Sequence, residues 1–159
     1  MVPTSMPDLF ENFRALVRIL GDASIPFAVC GGLAMSIHAH PRATIDIDLL
    51  APADAIPPLV ETVASLGFVR RARAPMRLGG GEIVMHRLTK IVAGDPDVLS
   101  LDVIEVGGLV TARAWQTRVS AQWEGRPLTV VSREGLVALK RLRGSPQDLV
   151  DIVTLEGTA

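Results

Sequence analysis

The chain has 159 residues, 48% of them hydrophobic and 21% charged, with a formal net charge of −1. That composition excludes a disordered chain, and the length suits one domain that buries about 70% of its unfolded surface. The balanced charge gives no case for indiscriminate capture of nucleic acid, and no apolar run reaches the ~20 residues of a membrane span.

Residues 6–20 place Leu9, Phe10, Phe13, Leu16, Val17 and Leu20 at helical spacing. Ser5 or Asp8 would cap the start, and Gly21 would end it. FAVC at 27–30 is a short apolar run between Pro26 and Gly31, which predicts a buried strand. Gly31 and Gly32 then permit a sharp turn and a close backbone approach to a ligand, because neither has a Cβ. Residues 33–40 predict a helix stopped by Pro41. TIDIDLL at 44–50 alternates polar and apolar side chains, so Asp46 and Asp48 share one strand face while Ile45, Ile47 and Leu49 take the other.

Residues 53–66 predict a second amphipathic helix, ended by Gly67, and a strand starts at 68–70. The arginine-rich piece 70–77 and the triple glycine 79–81 read as a strand end and a mobile hairpin loop. The glycines lack the lysine and hydroxyl residue of a P-loop. Two strand pieces follow at 82–88 and 89–92, then a turn at 94–97 and a strand at 98–106. On that strand Asp102 shares a face with Ser100 and Ile104, and Glu105 points the other way, to solvent. Beyond it come a turn and helix to 115 and a hairpin around Glu124-Gly125. Ser132 caps a helix over 133–142, which buries Leu136, Leu139 and Leu142 and leaves Lys140 on the surface. Ser145 caps a last helix with Pro146 at its first position. There Asp148 and Asp151 share a face, within reach of Arg143 or Lys140.

The chemistry concentrates at three aspartates. Two carboxylates side by side repel, so one takes a proton or both take a cation. Hard divalent ions such as Mg²⁺ sit on one or two carboxylates plus substrate phosphates, and a glycine turn offers backbone N–H groups to those phosphates. Read blandly, the same pair is a solvated patch on an edge strand. Asp102, set in an apolar strand, is costly unless paired or metal-bound. Cys30 reads as a small core residue that can form no internal disulfide, which fits a reducing compartment. With no visible secretory leader, a cytoplasmic location is expected. His38 and His40, two apart, make a poor metal pair.

The run Gly31, Gly32, helix, then Arg42-x-Thr44-x-Asp46-x-Asp48, with Asp102 on a later strand, resembles the nucleotidyltransferase superfold of polymerase-β-like enzymes. Lys140 and the pair Asp148/Asp151 are similar to the late helices of the AbiEii-type toxin group. Gly32 departs from the serine common at that place. The resemblance implies an α/β (α+β) fold: one domain over 1–159, a mixed sheet flanked by helices, with a catalytic core over about 26–131 and C-terminal helices over about 132–155. It implies Asp46, Asp48 and Asp102 as catalytic metal ligands for two Mg²⁺ ions, for which Mn²⁺ may substitute. Gly31, Gly32, Arg42, Thr44 and Lys140 would bind the nucleotide; separately, the triple glycine's own composition reads as a lid over it. It further implies an NTP substrate, a hydroxyl acceptor on RNA, protein or a small molecule, and a homodimer or a cognate antitoxin as partner. Two alternatives stay open: an aminoglycoside-type antibiotic nucleotidyltransferase, and a non-catalytic nucleotide-binding module.

Overall fold

The structure is a computed structural model that describes residues 9–38, 46–91, 94 and 98–157. Short aliphatic runs become eight strands: β1 Ala28–Cys30, β2 Asp46–Pro52, β3 Val69–Arg70, β4 Met76–Leu78, β5 Ile83–Ile91, β6 Val98–Val106, β7 Val119–Trp123 and β8 Arg126–Val130. They form one sheet ordered β3-β5-β6-β2-β1-β8-β7, and β4 also pairs with β5. The sheet is mixed: β2 runs parallel to β6 and β1 parallel to β8, while the other pairings are antiparallel. A parallel neighbour needs a long crossover. Between β2 and β6 the chain supplies it with a helix and the strands β3, β4 and β5.

Six helices complete the described residues: α1 Leu9–Asp22, α2 Gly31–Ile37, α3 Ile56–Val63, α4 Leu109–Gln116, α5 Arg133–Arg143 and α6 Pro146–Glu156. One sheet face is wholly apolar at its centre. Leu88, Leu101 and Ile47 lie side by side on β5, β6 and β2, and Val103, Leu49 and Val29 form the next row. All six are at most 1% exposed, and each such burial contributes about 1.5–3 kcal/mol. Lys90, on this face by the period of two, donates to Asn12 of α1 at 2.8 Å, which ties that helix to the sheet.

The expected α/β class and mixed sheet are present, and several boundaries move. α1 runs through Gly21 to Asp22, because a single exposed glycine near a helix end costs only about 1 kcal/mol. The expected caps Ser5 and Asp8 lie outside the described residues. α2 starts at Gly31 itself, so the glycine pair forms the helix's first turn. The strand pieces 82–88 and 89–92 are one strand, β5. The triple glycine closes the β4–β5 hairpin as expected, and a Cβ on Gly79 would lie 2.8 Å from the Leu142 side chain, so that end of the loop sits against α5. The turn expected at 94–97 falls largely outside the described residues. Glu105 is half-buried where solvent exposure was expected.

Candidate active site

The face opposite the apolar rows carries the polar groups. Strand pairing puts Cys30 opposite Asp48, Asp48 opposite Asp102, and Asp102 opposite Arg87. Residues paired across strands point to one face, so four strands contribute to a single row: thiol, carboxylate, carboxylate, guanidinium. Asp46 lies two residues before Asp48 and shares its face, opposite Ser100. Asp46 is half-buried and has an interaction of its own.

Asp48 is 9% exposed and Asp102 is 2% exposed. Burial, then the neighbouring Asp102 charge, pushes the Asp48 carboxyl up to about 7. Burial, with Asp48 beside it, likewise pushes the Cys30 thiol well up, which keeps it protonated and inert as a nucleophile. Asp102 has a different answer to the same problem. Arg87 Nε donates to its Oδ1 at 2.8 Å and Arg87 Nη2 to its Oδ2 at 2.9 Å. The hydrogen bonds to Asp102 hold the Arg87 guanidinium above its usual range. The Arg87 side chain is 43% exposed, against 4% for that of Asp102.

Gly31 has a structural reason. It has φ +65, and a Cβ there would sit 2.1 Å from Asp48 Oδ2. Only glycine lets the backbone pass that close to the carboxylate. Between this part of the sheet and α5 lies a cavity of about 20 Å³, lined in part by Cys30, Asp48, Lys140 and Arg143. A space of that size holds about one water. Segments 39–45, 92–93 and 95–97, which lead into β2 and β6, fall outside the described residues, and with them Arg42 and Thr44.

Lys140 is not on the surface, as its helix spacing suggested; it is 3% exposed. Its Nζ donates to Asp151 Oδ2 at 2.8 Å and lies 3.7 Å from Asp148 Oδ1. Arg143 grips Asp148 with two bonds, at 2.8 and 2.7 Å. Burial raises the Asp148 carboxyl, but hydrogen bonds from Arg143 and Ser145 outweigh it and hold it at about 2. The pairings foreseen for α5 and α6 are therefore made, in the interior. Lys140 and Arg143 also reach Asp48 electrostatically, both lowering its proton affinity.

The structure thus brings Asp48 and Asp102 together, sets Asp46 beside them, places Gly31 against Asp48, and puts Lys140 across the cavity. Among the described residues, no three His, Cys, Asp or Glu side chains already converge on one metal position. The oxygen donors suit a hard divalent ion, and Asp102 offers its oxygens while also accepting from Arg87. Sequence reasoning missed Arg87. Its only signal was a cation on the polar parity of a strand, and nothing local linked it to Asp102.

No family model and no curated protein matches the sequence. Solved structures do match in shape. A Thermotoga maritima protein described as a putative nucleotidyltransferase superposes with a TM-score of 0.62 at 13% identity, over 97% of this chain and 98% of its own. ANT(2'')-Ia in complex with adenylyl-2''-tobramycin gives 0.63 at 17% identity, over 92% and 86% of the two chains. The lincosamide antibiotic adenylyltransferase LnuA, lincomycin-bound, gives 0.61 at 12% identity, over 98% and 100%. The chain therefore has the nucleotidyltransferase fold.

Proposed function

We propose that the protein is a divalent-metal-dependent nucleotidyltransferase that moves a nucleoside monophosphate from an NTP to a hydroxyl acceptor. The meeting of Asp48 and Asp102 at one register position, with Gly31 against Asp48, carries this reading most directly. Two buried like charges call for a proton or a cation. Asp46, Asp48 and Asp102 are the residues that would hold Mg²⁺ or Mn²⁺. Bound there, such an ion would lower the pKa of the acceptor hydroxyl and offset the triphosphate's charge.

The chain's own residues do the rest. Gly31 and Gly32 offer backbone N–H groups to the triphosphate, the family pattern adds Arg42 and Thr44 as nucleotide contacts, and Lys140 supplies positive charge from behind Asp48. Asp102 accepts the hydroxyl proton and passes it to solvent. The acceptor oxygen bonds to the α-phosphorus. The bond from that phosphorus to the oxygen bridging to the β-phosphate breaks, and pyrophosphate leaves with the electron pair.

The acceptor divides the readings. ANT(2'')-Ia and LnuA are described with antibiotic ligands, which supports an antibiotic hydroxyl. The AbiEii-type reading, with an RNA or protein acceptor and a cognate antitoxin or a homodimer, rests on the late-helix lysine and aspartates. A non-catalytic module of the same fold is favoured by one observation: Arg87 already neutralises Asp102 without any metal.

The test uses α-labelled NTPs with Mg²⁺, offered with total RNA, protein extract and aminoglycosides. Wild-type protein is expected to label one acceptor class. Asp46→Ala is expected to label it at least about a hundredfold more slowly while keeping its circular dichroism and melting profile. Transfer by folded Asp46→Ala at near wild-type rate would overturn the metal assignment, and no labelling by wild type would favour the module.

A further inference from the structure

Net charge near zero hides a local asymmetry. Residues 69–91 carry Arg70, Arg71, Arg73, Arg77, Arg87 and Lys90, against the single carboxylate of Glu82; by register Arg70, Arg77 and Lys90 take the face opposite Asp102, and Arg87 takes the Asp102 face. This segment forms the β3–β4–β5 edge of the sheet, immediately beyond Asp102. A cleft of about 170 Å³ opens there, lined among others by Arg71, Ala72, Met76, Arg87 and Thr89. Arg87 and Thr89 lie on the same face as Asp102 and Ser100, their cross-strand partners. The cleft therefore adjoins the proposed catalytic row, and Arg87 belongs to both.

The cleft is mostly apolar in lining, with organised basic side chains at its rim. Arg71 Nε donates to Thr89 Oγ1 at 2.7 Å, and Arg71 Nη2 reaches the Thr89 carbonyl at 3.4 Å. That fixes the guanidinium over β5 while the side chain remains exposed. Arg87 spends Nε and Nη2 on Asp102, and its Nη1 makes no hydrogen bond among the described residues. Two guanidiniums and a hydroxyl thus line the cleft, and Met76 with Ala72 supplies an apolar wall. A guanidinium suits phosphate oxygens, and a thioether wall suits a flat ring or sugar. An amine-rich acceptor would meet repulsion in this cleft.

We infer that the cleft of Arg71, Arg87 and Thr89 is an acceptor subsite, and that the acceptor carries a phosphate beside the hydroxyl to be modified. Calling the molecule an acceptor rests on the transferase reading; the affinity of the cleft for phosphate does not. The phosphate can come from a polynucleotide end or from a small phosphorylated compound, and the two differ in how much chain extends beyond the cleft.

The experiment measures binding with no NTP and no metal, so it does not depend on turnover. A fluorescein-labelled oligoribonucleotide with a free 3′ hydroxyl is followed by anisotropy, and ribose 5-phosphate by calorimetry. Arg71→Gln is compared with Arg126→Gln, which removes the same charge in the β7–β8 hairpin at the opposite end of the sheet. Arg71→Gln is expected to weaken the bound probe about tenfold and to lower the salt slope by about one, with Arg126→Gln unchanged. Tight oligoribonucleotide binding with this pattern identifies a polynucleotide end. Binding of ribose 5-phosphate alone with this pattern identifies a small phosphorylated acceptor. Failure of both probes to bind, or equal loss in the two variants, overturns the inference. Stabilisation of the protein by Mg²⁺ with NTP reports on the transferase reading separately, and Arg71→Gln is expected to leave it intact.

Discussion

At the scale of single residues, the two buried carboxylates show how one electrostatic problem is met twice. Asp48 keeps a proton to about pH 7, and Asp102 keeps a guanidinium. Asp48 has its folded pKa raised above its unfolded value, so its contribution to stability is full below about pH 4 and is lost as pH rises through about 7. Metal-free protein should therefore lose stability between pH 5 and pH 8, by at most about 3 kcal/mol from this group. Asp48→Asn should flatten that part of the profile, which chemical denaturation at the two pH values measures. Arg87→Ala should lower the melting temperature of metal-free protein, because it strands a buried carboxylate. The variant should then gain more on addition of Mn²⁺ than wild type does, because Asp102 is free to bind. Equal gains would show that Asp102 takes no part in metal binding.

At the scale of elements, α5 and α6 are joined by Lys140 with Asp151 and by Arg143 with Asp148, closed by the capping box of Ser145 and Asp148. An exposed pair, Arg141 with Glu156, adds little by comparison. Removing one partner of a buried pair costs about 3–5 kcal/mol, since the other charge stays buried. Lys140→Met should lose that much in urea denaturation, and Lys140→Met with Asp151→Leu should recover most of it. These pairs were legible because they are local: a cap, a proline and an i, i+3 spacing set two aspartates facing the preceding helix. The burial of Lys140 was not legible, because a helix lysine carries no mark of what packs over it. The strands of Asp48 and Asp102 were each readable from alternation, yet their register joins residues 54 positions apart. No local pattern encodes such a pairing, and for the same reason Arg87 went unseen.

At the scale of the whole molecule, the sheet separates two tasks. One face is apolar from Leu88 to Val29 and holds the fold. The other gathers carboxylates, guanidiniums and a glycine bend along four adjacent strands, with the basic β3–β5 edge on one side and α5 on the other. The glycine pair, the alternating aspartates and the third carboxylate were enough to anticipate this architecture. They could not indicate that Asp102 would be held by a resident cation, Arg87.

The most direct measurement is the anomalous map of crystals soaked with Mn²⁺ and a non-hydrolysable NTP. The account predicts manganese bound by Asp46, Asp48 and Asp102, with the triphosphate beside Gly31. No manganese at these carboxylates, with nucleotide absent or bound elsewhere, would contradict it.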